Sequence, residues 1–278
     1  MYIYGGSVSL TNSTISGNVG DGYFSYYGGS FTAANSTISN NTSFGIDSYG
    51  RVSLTNSTVS NNGGEGVNGN FVTVVGSTIS GNGGDGVYAF LYQFATLTNS
   101  IISGNAGRGV GCSDCLDVRL TNTTVTGNGG GGVYFDTYNQ QSTVSLTRTV
   151  ISVNTGAPGG AQVFNDGGSI TAASFNLFGY RGLTNDEAFE NFTPGQTDIT
   201  ATSNGNDPTR LDRILNPTLA NNGGPTRTHA LVGGSPAIDT ITDGTCPPPA
   251  RDQRGVRRPQ DGDHDGAPIY DTGSFERR

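Results

Sequence analysis

The chain has 278 residues, 45 of them Gly, with 13% charged residues and a formal net charge of −8. Glycine stands at roughly twice ordinary usage and charge at about half, which excludes a continuous helical bundle, because Gly is among the poorest helix formers. All 14 basic residues are Arg; an acidic chain without a basic stripe excludes a nucleic-acid groove, and no run of about 18 apolar residues marks a membrane span.

The opening MYIYGGSVSL has neither a basic stretch nor a long apolar one, so no secretory signal peptide is read there. The chain starts inside a repeat, and the expectation is that upstream coils preceded Met1. The repeat is NSTISGN at 12–18, NSTISNN at 35–41, NSTVSNN at 56–62 and GSTISGN at 76–82. It continues as NSIISGN at 99–105, NTTVTGN at 122–128, RTVISVN at 148–154 and a degraded SFNLFGY at 174–180. The spacings are 23, 21, 20, 23, 23, 26 and 26.

Each unit carries three strand-like pieces: an alternating triplet such as Val8-Ser9-Leu10, the S-T-I-S piece, and a piece after Gly such as Gly66-Val67. So short a unit cannot bury its own apolar face, but stacked units can. The pattern predicts an all-β, right-handed, single-stranded parallel β-helix of about eight coils, roughly 40 Å long at about 4.8 Å per coil. Residues 1–180 form the coils and 181–278 a C-terminal capping module. Ile15, Ile38, Val59, Ile79, Ile102, Val125, Ile151 and Leu177 are the expected interior ladder. Two-residue alternation also places Ser13, Ser36, Ser57, Ser77, Ser100 and Thr123 inside. Thr14, Thr37, Thr58 and Thr78 then face out with Ser16, Ser39, Ser60 and Ser80, a hydroxyl grid like that of ice-binding β-helices, interrupted by Ile101 and Val150. Asn18, Asn41, Asn62, Asn82, Asn105, Asn128 and Asn154 form a turn ladder, read as left-handed corners with amide-to-amide hydrogen bonds. Several copies spell N-x-S/T, which the repeat explains without glycosylation.

Three residues after the ladder Asn stand Asp21, Phe44, Glu65, Asp85, Arg108 and Gly131. Glu65 and Asp85 fall one coil apart, a spacing compatible with a retaining glycosidase pair, and are the candidate catalytic acids. Aromatic loops follow the third strand: YFSYY at 23–27, YAFLYQF at 88–94 and YFDTY at 134–138. Tyr88, Tyr92, Tyr134 and Tyr138 are candidate glycan contacts. Cysteines are Cys112, Cys115 and Cys246. C-x-x-C with too few other ligands argues against zinc and leaves a local disulfide or free thiols.

Beyond Tyr180, short helices are expected near 186–191 and 208–215. Asp261-Gly262-Asp263-His264-Asp265-Gly266 matches the first half of a calcium loop. Asp261, Asp263 and Asp265, with Asp271 in place of the missing Glu, are the candidate ligands, and calcium is the one expected cofactor. Arg254, Arg257 and Arg258 could bind an anion or make ion pairs that dock the tail on the last coil. Asp239 in GSPAID could anchor a turn.

NNGGPTRTHAL, GSPAID, DQRGVRRP and DTGSFE, in this order, resemble the C-terminal module of bacterial "choice-of-anchor Q" β-helix surface proteins. The resemblance implies an extracellular or cell-surface location and no defined activity. It departs in two places: Tyr270 stands where the family pairs a Cys with the position of Cys246, and no sorting signal follows Glu276. Together these readings describe a monomeric, non-catalytic, adhesin-like rod whose partner is a surface polysaccharide or a host or neighbouring cell. A polysaccharide lyase or glycoside hydrolase, and a purely structural spacer, are the alternatives.

Overall fold

The computed structural model describes residues 1–90, 93–136, 142–156, 161–242 and 250–278. Each coil supplies three strands, exemplified by Ser7–Thr11, Thr14–Ser16 and Tyr23–Ser25. Each pairs in parallel with its counterpart one coil later, as in Ile15 with Ile38 and Tyr23 with Ile46. In Ile46–Thr55 and Val67–Val75 the third strand runs unbroken into the next first strand, so these columns merge into one fifteen-stranded sheet. The T-I-S pieces form a separate nine-stranded sheet. The chain is therefore a parallel β-solenoid, as its periodicity predicts.

Ladder residues Ile38, Val59, Ile79, Ile102, Val125 and Ile151 are fully buried. In the last copy the register differs from the expected one: Phe178, not Leu177, follows Ile151, and Leu177 follows Val150. The backbone explains the shift. The corner between first and second strands is left-handed at Asn12, Asn35, Asn56, Asn99 and Asn122, then at Arg148 and Phe175. Phe175 thus occupies the place of the repeat's first Asn, one residue later than the sequence alignment put it. For the same reason the left-handed residue is this first Asn, and not the ladder Asn; only the residue before the ladder Asn, such as Gly17 or Asn40, is left-handed again. Asn is the L-residue that tolerates this conformation best.

The inward serines pair as a second ladder. Ser36 Oγ accepts from Ser13 N at 3.1 Å, Ser57 Oγ from Ser36 N at 3.1 Å and Ser77 Oγ from Ser57 N at 3.0 Å. The asparagine ladder runs unbroken from Asn18 to Asn154: Asn82 Nδ2 donates to Asn105 Oδ1 and Asn105 Nδ2 to Asn128 Oδ1, each at 2.9 Å. Asn154 Nδ2 ends the row on Gln162 Oε1 at 2.9 Å, a rung that no repeat spacing announced.

The Gly four residues after the ladder Asn in the first six copies, Gly22, Gly45, Gly66, Gly86, Gly109 and Gly132, is required by space. A Cβ on Gly86 would lie 2.5 Å from Ile102 Cγ2, 2.7 Å from Gly109 O and 2.8 Å from Asn105 Nδ2. Gly86→Ala is expected to cost about 1–3 kcal/mol or more through overpacking, read as a lowered urea midpoint. Gly127→Ala, where a Cβ meets only a backbone nitrogen at 3.8 Å, carries backbone strain alone; equal losses at both sites would sink the packing argument.

Coil pairing continues past Tyr180. Phe189–Glu190 pairs with Val163–Asp166, and Ile199–Thr200 with Leu177–Phe178. A helical turn, Asn185–Ala188, is capped by Thr184 and Glu187, and a 3₁₀ turn spans Leu211–Arg213. The chain then folds back along the flank of the rod, across the outer face of the nine-stranded sheet, where docking on the last coil was expected. Thr226 Oγ1 donates to Gly76 O at 3.2 Å, and Gln253 Nε2 to Thr78 Oγ1 at 2.9 Å. Ser274 Oγ meets Thr124 Oγ1 at 3.0 Å, and Thr272 Oγ1 donates to Phe175 O at 2.8 Å.

The outward column explains the seat. It reads Thr14, Thr37, Thr58 and Thr78, then Ile101, Thr124, Val150 and Leu177. Val150 and Leu177 pack with Ile214, Leu215, Leu231, Ile238 and Phe275 in a second core, because outward apolar side chains are favoured under cover. Thr78, expected to face water, is 1% exposed beneath this segment.

Candidate functional site

Position two after the fixed Gly faces outward on the fifteen-stranded sheet. Paired coil to coil, it reads Phe24, Asp47, Asn68, Tyr88, Gly111, Tyr134 and Phe164. The turn column beside it holds Asp21, Glu65, Asp85 and Arg108. Asp85 is 6% exposed. Its Oδ1 accepts Arg108 N at 2.7 Å, and its Oδ2 accepts Arg108 Nε at 2.8 Å and Nη2 at 2.7 Å. Such charge-assisted bonds are among the strongest a carboxylate makes, so Asp85 is committed to Arg108.

Gly111 makes the room that Arg108 fills: a Cβ there would lie 3.1 Å from Arg108 Cζ. The guanidinium lies 5.2 Å from the Tyr88 ring centroid and 4.7 Å from that of Tyr134, within cation–π range. Tyr134 stacks on Phe164 at 4.3 Å. Tyr88 and Tyr134 are therefore half-buried members of a ring-and-cation stack, with ring faces turned to their neighbours along the rod. Tyr92 and Tyr138 lie outside the described residues, as does Cys246.

The acids at the other end of the strip carry perturbed titration. Burial, with Asp21 and Glu65 nearby, pushes Asp47 up to about 6, although Asn68 Nδ2 donates to its Oδ1 at 3.0 Å and opposes the shift. Burial also raises Glu65, against its own backbone N–H and with Asp85 adding to the rise. The two candidate acids remain electrostatic neighbours but differ in partner: Asp85 is ion-paired with Arg108, and Glu65 is not. Asp47 and Asn68 were missed in the sequence, although their place after the fixed Gly marks them as outward.

In the C-terminal segment, carboxylate oxygens of Asp239, Asp261 and Asp263 lie within 4.8 Å of one another. These three could hold a hard cation. The structure brings Asp239 to the loop in place of Asp271: Asp239 Oδ2 accepts Asp263 N at 2.9 Å. Asp271 is fully buried, and its Oδ1 accepts Asp239 N at 2.8 Å while its Oδ2 accepts Arg277 N at 2.6 Å. It stands behind the loop as a support and not among its facing carboxylates. Asp265 is exposed, and its Oδ1 accepts Ala267 N at 2.8 Å. Asp261 Oδ1 and Asp263 Oδ1 each accept Asp265 N at 3.1 Å.

Arg254 and Arg258 are ion-paired, with Asp252 at 2.8 Å and Glu276 at 3.1 Å. Arg257 is exposed. Cys112 and Cys115 are joined as a disulfide.

A parallel solenoid with an outward strip of polar and ring side chains places the chain in the β-helix class. It belongs to the family described as "Right handed beta helix region", which it matches over residues 1–173. Among solved structures it is similar to pectate lyase Pel9A, with a TM-score of 0.54 and 18% identity, over 95% of this chain and 72% of that one. It is also similar to the A-module of Azotobacter vinelandii mannuronan C-5 epimerase AlgE6, with a TM-score of 0.49 and 15% identity, over 72% of this chain and 58% of that one. A comparison with curated proteins finds no match. At these identities the structural likeness is one of fold. No helix among the described residues is long and apolar enough to cross a membrane.

Proposed function

We propose that this chain is a non-catalytic, glycan-binding β-helix, an adhesin-like rod of an extracellular or cell-surface setting. The observation that carries the reading is the strip Asp47, Asn68, Tyr88, Arg108, Tyr134 and Phe164. It places one hydrogen-bonding or ring group at about every 4.8 Å of rod, so an extended polymer can run along it. Arg108 is held in place by Asp85 and two rings, so little side-chain freedom is lost on binding. Asp21, Asp47 and Glu65 make one end acidic, which disfavours a polyanionic chain and suits a neutral glycan. The Cys112–Cys115 disulfide fits an oxidising compartment.

Calorimetric titration with neutral polysaccharide fragments tests the reading. Arg108→Ala and Tyr134→Ala should each weaken binding about tenfold, roughly 1.4 kcal/mol. Affinity unchanged in both variants would sink it.

A second reading has its own observation. Asp47 at about 6 and the raised Glu65 are perturbed carboxylates on an open face, the pattern of acid–base catalysis. A hydrolase working through them would release new reducing ends and lose that activity in Glu65→Gln. Such turnover would replace the binding reading.

A further inference from the structure

We propose a second binding site: the groove between the outer face of the nine-stranded sheet and residues 211–229 takes a neutral, linear oligosaccharide. The groove encloses about 730 Å³. Its floor carries Ser60, Ser80, Ser103 and Thr126, which are direct register partners on successive coils. Hydroxyls therefore repeat at about the strand spacing of 4.8 Å, close to the advance of one pyranose residue in an extended chain. The facing wall carries an apolar stretch, Leu211, Leu215, Leu219 and Pro225, beside the polar Asn221, Thr226 and His229. A hydroxyl-bearing floor opposite an apolar stretch matches a sugar ring, which has polar edges and C–H faces.

Other occupants fit less well. The lining holds no carboxylate, and its one guanidinium, Arg227, is solvent-exposed, so no charge is arranged for an ionic polymer. The floor is a sheet face, whose backbone groups are engaged with neighbouring coils. A peptide strand has no ladder to join there.

His229 adds an uncharged hydrogen-bonding group to the wall. It forms part of the groove wall and is 6% exposed. Its Nδ1 lies 2.9 Å from Asn216 O and donates to it, which leaves Nε2 as a lone-pair acceptor. That Nε2 is buried and has no hydrogen-bond partner. Burial also lowers the imidazole's pKa, so the acceptor form persists at neutral pH. Buried acceptors are seldom left unpaired, and a hydroxyl donor, of a sugar or of water, would satisfy this one.

The groove lies on a different sheet from the strip of the proposed function and does not depend on it. The test titrates cellohexaose, xylohexaose and mannohexaose into the full chain by calorimetry, with hexagalacturonate as the acidic comparator. At least one neutral hexamer should saturate the chain. His229→Phe should weaken it about tenfold, the effect of one lost hydrogen bond to a buried acceptor, and Ser80→Trp should block it. Hydrogen exchange on the unmodified chain removes any dependence on variant folding: the bound hexamer should protect residues 211–229. Failure of every neutral hexamer to bind at about 10 mM, above the range of ordinary weak sites, overturns the groove proposal. So does binding that survives Ser80→Trp in a folded variant. Protection confined to the Asp47–Phe164 strip also overturns it, and in that case the strip reading stands.

Discussion

Asn105→Ala is expected to cost about 3–5 kcal/mol, because orphaned buried hydrogen-bonding groups each cost about 1–3 kcal/mol. Asn105 is 1% exposed. Its Oδ1 accepts Asn82 N at 3.1 Å and Asn82 Nδ2 at 2.9 Å. Its Nδ2 donates to Asn128 Oδ1 at 2.9 Å and to Ile79 O at 3.3 Å. Truncation removes all four bonds and leaves groups in both neighbouring coils without their partner, where water cannot reach them. Asn18→Ala is the matched comparison. Asn18 is exposed, and its side chain donates only onward, to Asn41 Oδ1 at 2.7 Å, so its loss should stay near 1 kcal/mol, the typical net value of one hydrogen bond. Urea unfolding of the two variants checks this, and equal losses would mean that the ladder is decoration on a rod held by apolar packing alone.

Arg258→Ala is expected to release the C-terminal segment from the flank at a cost of about 3–5 kcal/mol, because it leaves three buried acceptors, Asp271 O, Gly273 O and Glu276 Oε2, without their donor, at about 1–3 kcal/mol each. The side chains of Arg258 and Glu276 are 0% exposed. Arg258 Nη1 donates to Asp271 O at 2.8 Å as well as to Glu276, and Nη2 to Gly273 O at 2.7 Å. One guanidinium thus ties DTGSFE to DQRGVRRP. Limited proteolysis should cut the variant within 250–278 while coil strands stay protected; a resistant tail would refute the tie.

The same cluster predicts a pH dependence. Burial pushes Asp271 up to about 7 and Glu276 up to about 8, although Arg258 lowers both. Both values exceed those of the unfolded chain, so the folded state retains protons that the unfolded state has released. Their contribution is fully present below the unfolded values and is lost as pH rises through about 7 to 8. Exchange of the tail amides, corrected for the intrinsic rate, should therefore speed up between pH 6 and pH 9. A flat profile would show that these carboxyls titrate normally.

The solenoid and much of its interior were legible because each coil repeats the same local problem. The Asn column, the inward Ser column and the fixed Gly recur at nearly constant offsets, and stacking turns such a recurrence into contact. The degraded copy at 174–180 failed this logic by one residue, since the backbone sign at Phe175 is set by the corner it must turn and not by its side-chain likeness to Asn. Ile101 and Val150 were visible as interruptions of an outward hydroxyl column. The reason for Val150, the second core with Leu231, Ile238 and Phe275, needed the folded tail. The strip at Asp47, Asn68 and Gly111 was readable in position but not in meaning, because Gly111 matters only as the space that Arg108 occupies.

By itself, the sequence determined the coil, its parallel pairing and its inward ladders, since these depend on interactions between equivalent residues about one period apart. Only the tertiary structure decided that the C-terminal segment lies along the flank, that Asp239 replaces Asp271 beside Asp261 and Asp263, and that Asp85 is bound to Arg108. Those outcomes depend on contacts between residues that share no period. Their geometry follows from burial and charge pairing across the assembled rod, where no spacing along the chain encodes the distance.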